Sequence, residues 1–379
     1  MTSTNILVEN NRGFAGGPIS TPIIIPDNHK ELHLLEKSSG LIKPCQIINN
    51  SGQNEAIWIE DELPADITRE YSIEPCDNTD MRVLLNDIPN SKLDISIDGN
   101  LVTSYHYGSE SFRPYFHPII GLNKLPVTRG FPMESNIPEE STDHVHHRGL
   151  WSAYGEVNQI DNWAEKDTSG RTLHSRFDRI ISGPVLGNAV ALSRWVSSDL
   201  SSTVLDEKRE ITFYAMSPMK LFDIKLTLSA REKDVKFGDT KEGGFISLRV
   251  ASSMEVTRGG KIENSRGGIG ESEVWGKQAE WCDYSGLVGN STQGIAIMEH
   301  TSSFLSPTYW HARDYGLLSA NPFGLSVFLG EEHCGDYTLS ANNSITFCYR
   351  VLVHQGDSKT GNVNSFYESY LNPPIVYSS

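Results

Sequence analysis

The chain is short of most features that would assign a function at a glance. Five cysteines stand in 379 residues, scattered and without a CxxC pair. That excludes a disulfide scaffold and fits reduced thiols, hence a cytosolic setting. Cys334 follows His333, but neighbours on a strand point apart, so they do not form a nucleophile pair. Positive charge is scarce: 32 Lys and Arg face 48 Asp and Glu, a formal net charge of -16. With no basic cluster to offset it, this surface repels phosphate backbones and anionic membranes, so neither nucleic acid nor membrane is an expected partner. No apolar run reaches the 18 or so residues of a spanning helix. The opening MTSTNILVENNRGF lacks the basic and apolar regions of a secretory signal. Also absent are a GxSxG elbow, a Walker loop, a GxGxxG turn and an HExxH helix. There is no fixed-period repeat and no low-complexity tract.

Helical periodicity is rare as well. One segment has it: NVNSFYESYLN spaces Val363, Phe366, Tyr367 and Tyr370 at i, i+3, i+4 and i+7, and Pro373 ends it. Elsewhere period two dominates. KLDISIDGNLVTSYHYG alternates Leu93, Ile95 and Ile97 with polar residues before a DGN turn, which reads as a hairpin. SITFCYRVLVH sets Ile345, Phe347, Tyr349, Val351 and Val353 on one face. Strands without strand–helix alternation predict an all-β protein. The expected architecture is a small β domain over residues 1–91 and a large antiparallel β-sandwich over 92–379. Two long stretches, 108–175 and 255–322, break the strand rhythm and are rich in Gly, Trp, Arg, His and Glu. Long irregular loops in a compact domain are usually functional, and these are placed as the walls of a cleft.

Three of the twelve histidines fall within four positions, in STDHVHHRGLW. If that stretch is extended, His144 and His146 share a face and His147 points away. Three readings stand open. An HxH pair can hold a divalent metal, with His117, Asp143, Glu242 or His311 as the third ligand. Imidazoles can serve as acid and base beside a sugar, with Arg148 fixing an oxygen and Trp151 stacking on the ring. Or the stretch is a polar loop whose histidines bond backbone groups. FGDTKEGGFISLRV adds Glu242 as a tunable carboxylate and Arg249 on the following strand, against the simpler reading of a charged turn. PTYWHARDYGLLSANPFG holds Trp310, His311, Arg313 and Asn321, the chemistry of a carbohydrate cleft or of a packed aromatic corner. VWGKQAEWCDYSG brings Trp275 as a further wall.

These segments, with YFHPIIGLNKLPVTRGFP and YRVLVHQGD, resemble the bacterial PmoA-like family from about residue 100 to 357. Family members of that label often accompany sugar dehydrogenases and carbohydrate-utilisation proteins. A looser likeness connects the chain to galactose-mutarotase-type supersandwich proteins, in which a His acid and a carboxylate base share the concave sheet face. The resemblance implies a β-sandwich protein of poorly defined function; the residue clusters themselves point to a carbohydrate-active enzyme that hydrolyses, eliminates or epimerises a sugar. Its catalytic set would be His146, His147, Glu242 and His311. Arg129, His144, Arg148, Trp151, Arg249, Trp275, Trp310, Arg313 and Asn321 would bind substrate. No cofactor is expected; a metal-dependent oxygenase or hydrolase and a non-catalytic glycan binder are the alternatives.

Overall fold

The strand Ser344–Gln355 shows how the sheets are built. Ile345, Phe347, Tyr349, Val351 and Val353 all enter one large hydrophobic core, as their alternation predicts. The opposite face is buried too, because Leu352 packs beneath the helix Val363–Leu371 through Val363, Phe366 and Tyr367. Towards its end the strand is covered on both sides, so the polar groups of that second face, Arg350 and His354, are buried with carboxylate partners, Asp223 and Asp283.

The computed structural model describes residues 5–24, 31–50, 52–76 and 80–378. Two eight-stranded sheets, antiparallel throughout, form a sandwich. The first runs, in spatial order, Trp310–Arg313, Leu317–Ala320, Gly243–Arg249, Leu150–Tyr154, Tyr115–Phe116, Asn100–His106, Lys92–Ile97 and Val83–Ile88. The second runs Arg171–Ile181, Leu186–Val196, Thr203–Tyr214, Lys220–Ala230, Ser344–Gln355, Ser291–Glu299, Trp281–Val288 and Lys261–Asn264. Side chains from both inner faces make the core: Phe245 of the first stacks on Phe347 of the second at 4.1 Å. The protein is all-β in class. Among the described residues no helix is long and apolar enough to cross a membrane.

A third sheet, seven-stranded, is made from strands between Asn5 and Pro75 and closed by the last strand, Ile375–Ser378, against Asn5–Asn10. The sheets therefore divide the chain differently from the expected break at residue 91. Val83–Ile88 pairs with Lys92–Ile97 and belongs to the sandwich. The IPNSK stretch between them is a tight hairpin turn, and turn residues look the same whether they join two strands or two domains.

On the outer face of the second sheet, His354 and Asp283 form a fully buried ion pair at 2.8 Å. Two glycines make room for the ring: a Cβ on Gly294 or on Gly361 would come within 2.1 Å of it. Burial works against the imidazolium, but Asp283 prevails and holds the His354 pKa above its usual value. The folded state thus binds a proton more tightly than the unfolded chain does. That stabilisation is complete below the unfolded histidine pKa of about 6.5 and is lost as pH rises through the higher folded value. Urea midpoints measured upward from pH 6 are expected to fall more steeply for the wild type than for His354→Gln. Equal slopes would remove this pair from the account.

Candidate functional site

The outer face of the first sheet carries a row of side chains fixed by strand register. His106 pairs with Tyr115, Tyr115 with Trp151, Trp151 with Ser247, Ser247 with Ser319, and Ser319 with His311. One row along, Arg249 pairs with Leu317 and Leu317 with Arg313. The alternate residues Leu150, Leu248, Leu318 and Ala312 enter the core. Period two also settles Trp310, which faces the sandwich core and donates its Nε1–H to Ala279 O at 2.9 Å. It is a core residue and not a stacking platform.

Over this row lies the histidine stretch, and it is a turn rather than a strand. The amide of His147 donates to His144 O at 3.0 Å, and His144 sits at φ 46°. The expected split of faces is therefore wrong. His144 and His147 stack in parallel, centroids 4.7 Å apart, and His146 meets the edge of both. His144 also stacks on Tyr315 at 5.0 Å, and His147 on Trp151 at 5.2 Å. Trp163 closes the group edge-on to His146 and His147. Gly149 is required at the exit, since at φ 57° a Cβ would sit 2.1 Å from Phe116 O. Gly149→Ala combines a left-handed penalty with a backbone clash, and is expected to cost at least about 2 kcal/mol. A urea midpoint equal to wild type would mean that the turn can shift freely.

Charge is concentrated beneath the turn. Arg129 and Arg249 are fully buried, and both donate to Asp143 Oδ1, at 2.6 and 2.7 Å. Arg129 also donates to the carbonyls of His144 and His147, at 2.9 and 3.4 Å. Arg249 reaches Glu255 at 3.4 Å, donates to His147 Nδ1 at 3.3 Å and lies 4.8 Å from the Tyr315 ring centroid. Asp143 Oδ2 accepts from His144 Nδ1. Burial would raise the Asp143 pKa, but Arg249 and the bond to His144 hold it below the usual carboxylate range. Burial, then the neighbouring His146 and Arg249, push the His147 pKa well down. Burial and Arg113 take His146 to about 4; burial and Arg313 take His311 to about 3. These three imidazoles are neutral at neutral pH. Among the described residues no group of three His, Cys, Asp or Glu side chains is placed to hold a metal ion.

Residues 92–368 match a family of unknown function, DUF6807. The chain belongs to this family. No curated protein matches it. The matched range leaves out the whole of the seven-stranded sheet and contains every residue of the cluster described above.

Several expected residues hold the DUF6807 site together instead of facing its opening. Arg148 makes three hydrogen bonds of 2.7–3.0 Å to the buried carboxylate of Glu165, so it is not a free oxygen-binding group. Asn321 is fully buried, bonding Thr240 O at 2.9 Å and accepting from the amide of Phe323 at 3.0 Å. His311 is buried with Nδ1 against Lys241 O at 2.9 Å. Others stand on the rim. Glu242 is half exposed beside Lys241, 3.4 Å away. Arg313 pairs with Glu271 and lies 5.7 Å from the ring centroid of Trp275. Three important members escaped the candidate set: Asp143, Tyr315 and Trp163. Asp143 entered only as a possible third metal ligand. Tyr315 shares the parity of His311 and Arg313, a signal that could have placed it. Trp163 comes from a distant loop, and nothing local marks it.

The partners assign the two stacked rings opposite tautomers. His144 Nδ1 donates to an ionised Asp143, so that in the neutral ring Nε2 is the lone-pair acceptor. His147 Nδ1 accepts from Arg249, which puts the proton on its Nε2. A carboxylate-oriented base thus lies face to face with a neutral N–H donor. The left-handed φ of His144, unusual for a residue with a side chain, is the kind of strain that concentrates at functional sites.

Proposed function

We propose that this protein is a carbohydrate-active enzyme that moves a proton on a sugar or glycoside. The observation that carries the reading is the Asp143–His144 pair, held at a strained backbone position by two buried arginines and stacked on His147. His144 Nε2 takes a proton from a substrate C–H or O–H, and Asp143 stabilises the imidazolium that forms. His147 Nε2–H hydrogen-bonds the oxygen on which charge develops. The imidazolium then returns its proton to carbon or to a departing oxygen, while the Glu242 carboxylate, on the rim near Tyr315, accepts a hydrogen bond from a sugar hydroxyl. The PmoA-like and mutarotase-type resemblances support a sugar as substrate. Tyr315, partly exposed, provides an aromatic face on which sugar C–H groups can pack.

The same geometry favours epimerisation or elimination over hydrolysis by two carboxylates. In such hydrolases both carboxylates face the scissile bond, one as acid and the other as nucleophile or base. Here Asp143 is taken up by two guanidinium groups and an imidazole. That leaves Glu242 as the one carboxylate of the proposed set with room to act.

The test is proton exchange in D₂O, followed by ¹H NMR over a panel of aldoses, keto sugars, uronates and methyl glycosides. Loss of one carbon-bound proton signal, with or without net conversion, is the expected result. Binding to a sugar with no exchange or turnover on any panel member would replace this reading with a glycan-binding one.

A further inference from the structure

Every permanent cation around the turn already has a carboxylate. Arg129 and Arg249 share Asp143, and Arg249 has Glu255 besides. Arg113 and Arg148 share Glu165. Arg313 holds Glu271, and Lys241 holds Glu242. Asp161 adds its field to that of Glu165 at Arg113. Each of these six cations thus has a carboxylate partner.

Burial keeps His146, His147 and His311 neutral at neutral pH. What faces solvent here is the paired charge of Asp143, Lys241 and Glu242, with the His144 imidazole and the partly exposed Tyr315 ring, while His147 and Trp163 are almost fully buried.

We infer that the substrate of this site is an electrically neutral sugar or glycoside and not a sugar acid or sugar phosphate. The inference rests on the proposed function above and specifies the substrate class for that same site. A carboxylate or phosphate entering here would lose its water and find no unpaired cation, and Asp143 and Glu242 would repel it. Sites built for anionic sugars need a guanidinium or ammonium group with an open coordination edge. Arg129, Arg148 and Arg249 turn those edges to Asp143 and Glu165, and Arg313 is held to Glu271 through Nη1.

The test uses the full chain and matched pairs of ligands: methyl β-glycosides of glucose, galactose and mannose, and the corresponding methyl uronides, titrated by calorimetry. The expected result is that one neutral glycoside binds at least about ten-fold more tightly than its uronide. Glu271→Gln releases the Arg313 guanidinium and is expected to shift that ratio toward the uronide by about ten-fold. Should Glu271→Gln fail to fold, Glu242→Gln releases Lys241 from the solvent-facing rim and is expected to shift the ratio in the same direction. A wild-type protein that prefers the uronide overturns the neutral-substrate inference and leaves the sugar reading standing. Binding of neither member of any pair, with no exchange in D₂O, overturns both.

Discussion

Alanine at position 144 is expected to lower kcat/KM on the exchanging sugar by about 10²–10⁴-fold, the usual cost of removing a general base. The loss should fall on kcat, because the imidazole acts where charge develops and contributes little to ground-state binding. The fold should survive, since the His144 side chain is 39% exposed and lies outside the hydrophobic core. Asp143→Asn is expected to produce a loss of similar size by a different route. An amide can offer its N–H to Nδ1, which would move the proton to Nε2 and turn the base into a donor. Circular dichroism and sugar affinity near wild type, together with the kinetic loss, would locate the defect in proton transfer. A His144→Ala enzyme within about three-fold of wild type would sink the assignment, because a catalytic proton transfer contributes far more than that.

Leucine in place of Arg249 is expected to have the largest effect on stability, about 3–5 kcal/mol. Its guanidinium is fully buried and serves Asp143, Glu255 and His147 together. Without it, among the described residues, Glu255, 5% exposed, is left with only the partly exposed Arg258 at 3.5 Å as a charge partner. Stranding a buried carboxylate costs more than the pair contributed when intact. Adding Glu255→Gln should therefore recover part of the loss, a coupling that urea denaturation of the two single variants and the double variant would measure. Arg249→Lys should not rescue it, since one ammonium cannot span the three acceptors that the planar guanidinium reaches. A wild-type urea midpoint for Arg249→Leu would mean that the cluster gives nothing to the fold.

The two effects act on one assembly. Arg129 and Arg249 keep Asp143 ionised, Asp143 sets the tautomer of His144, and His144 stacks on His147, whose own tautomer Arg249 sets. A site of this kind needs its charges buried to act strongly and paired to be tolerated at all.

The alternation of SITFCYRVLVH and KLDISIDGN, the scarcity of helical spacing and the single periodic segment at Val363–Leu371 were enough to read an all-β protein with one late helix. These are local signals, because period two and period 3.6 follow from backbone geometry alone. The clustering of His, Arg and Trp in two long irregular stretches was enough to point to the part of the chain that matters. Strand parity would have sent Trp310 inward and His311, Arg313 and Tyr315 outward had it been applied to that loop. Tertiary structure alone decided the rest. A turn, not a strand, sets the three imidazoles, because Arg129 captures the carbonyls of His144 and His147 from fifteen and eighteen residues away. Arg148 and Asn321 became structural because Glu165 and Thr240 reach them across the fold. Which polar side chains stay free for a substrate depends on which ones the fold has already paired. Pairing between residues distant in the chain leaves no mark in composition, spacing or period.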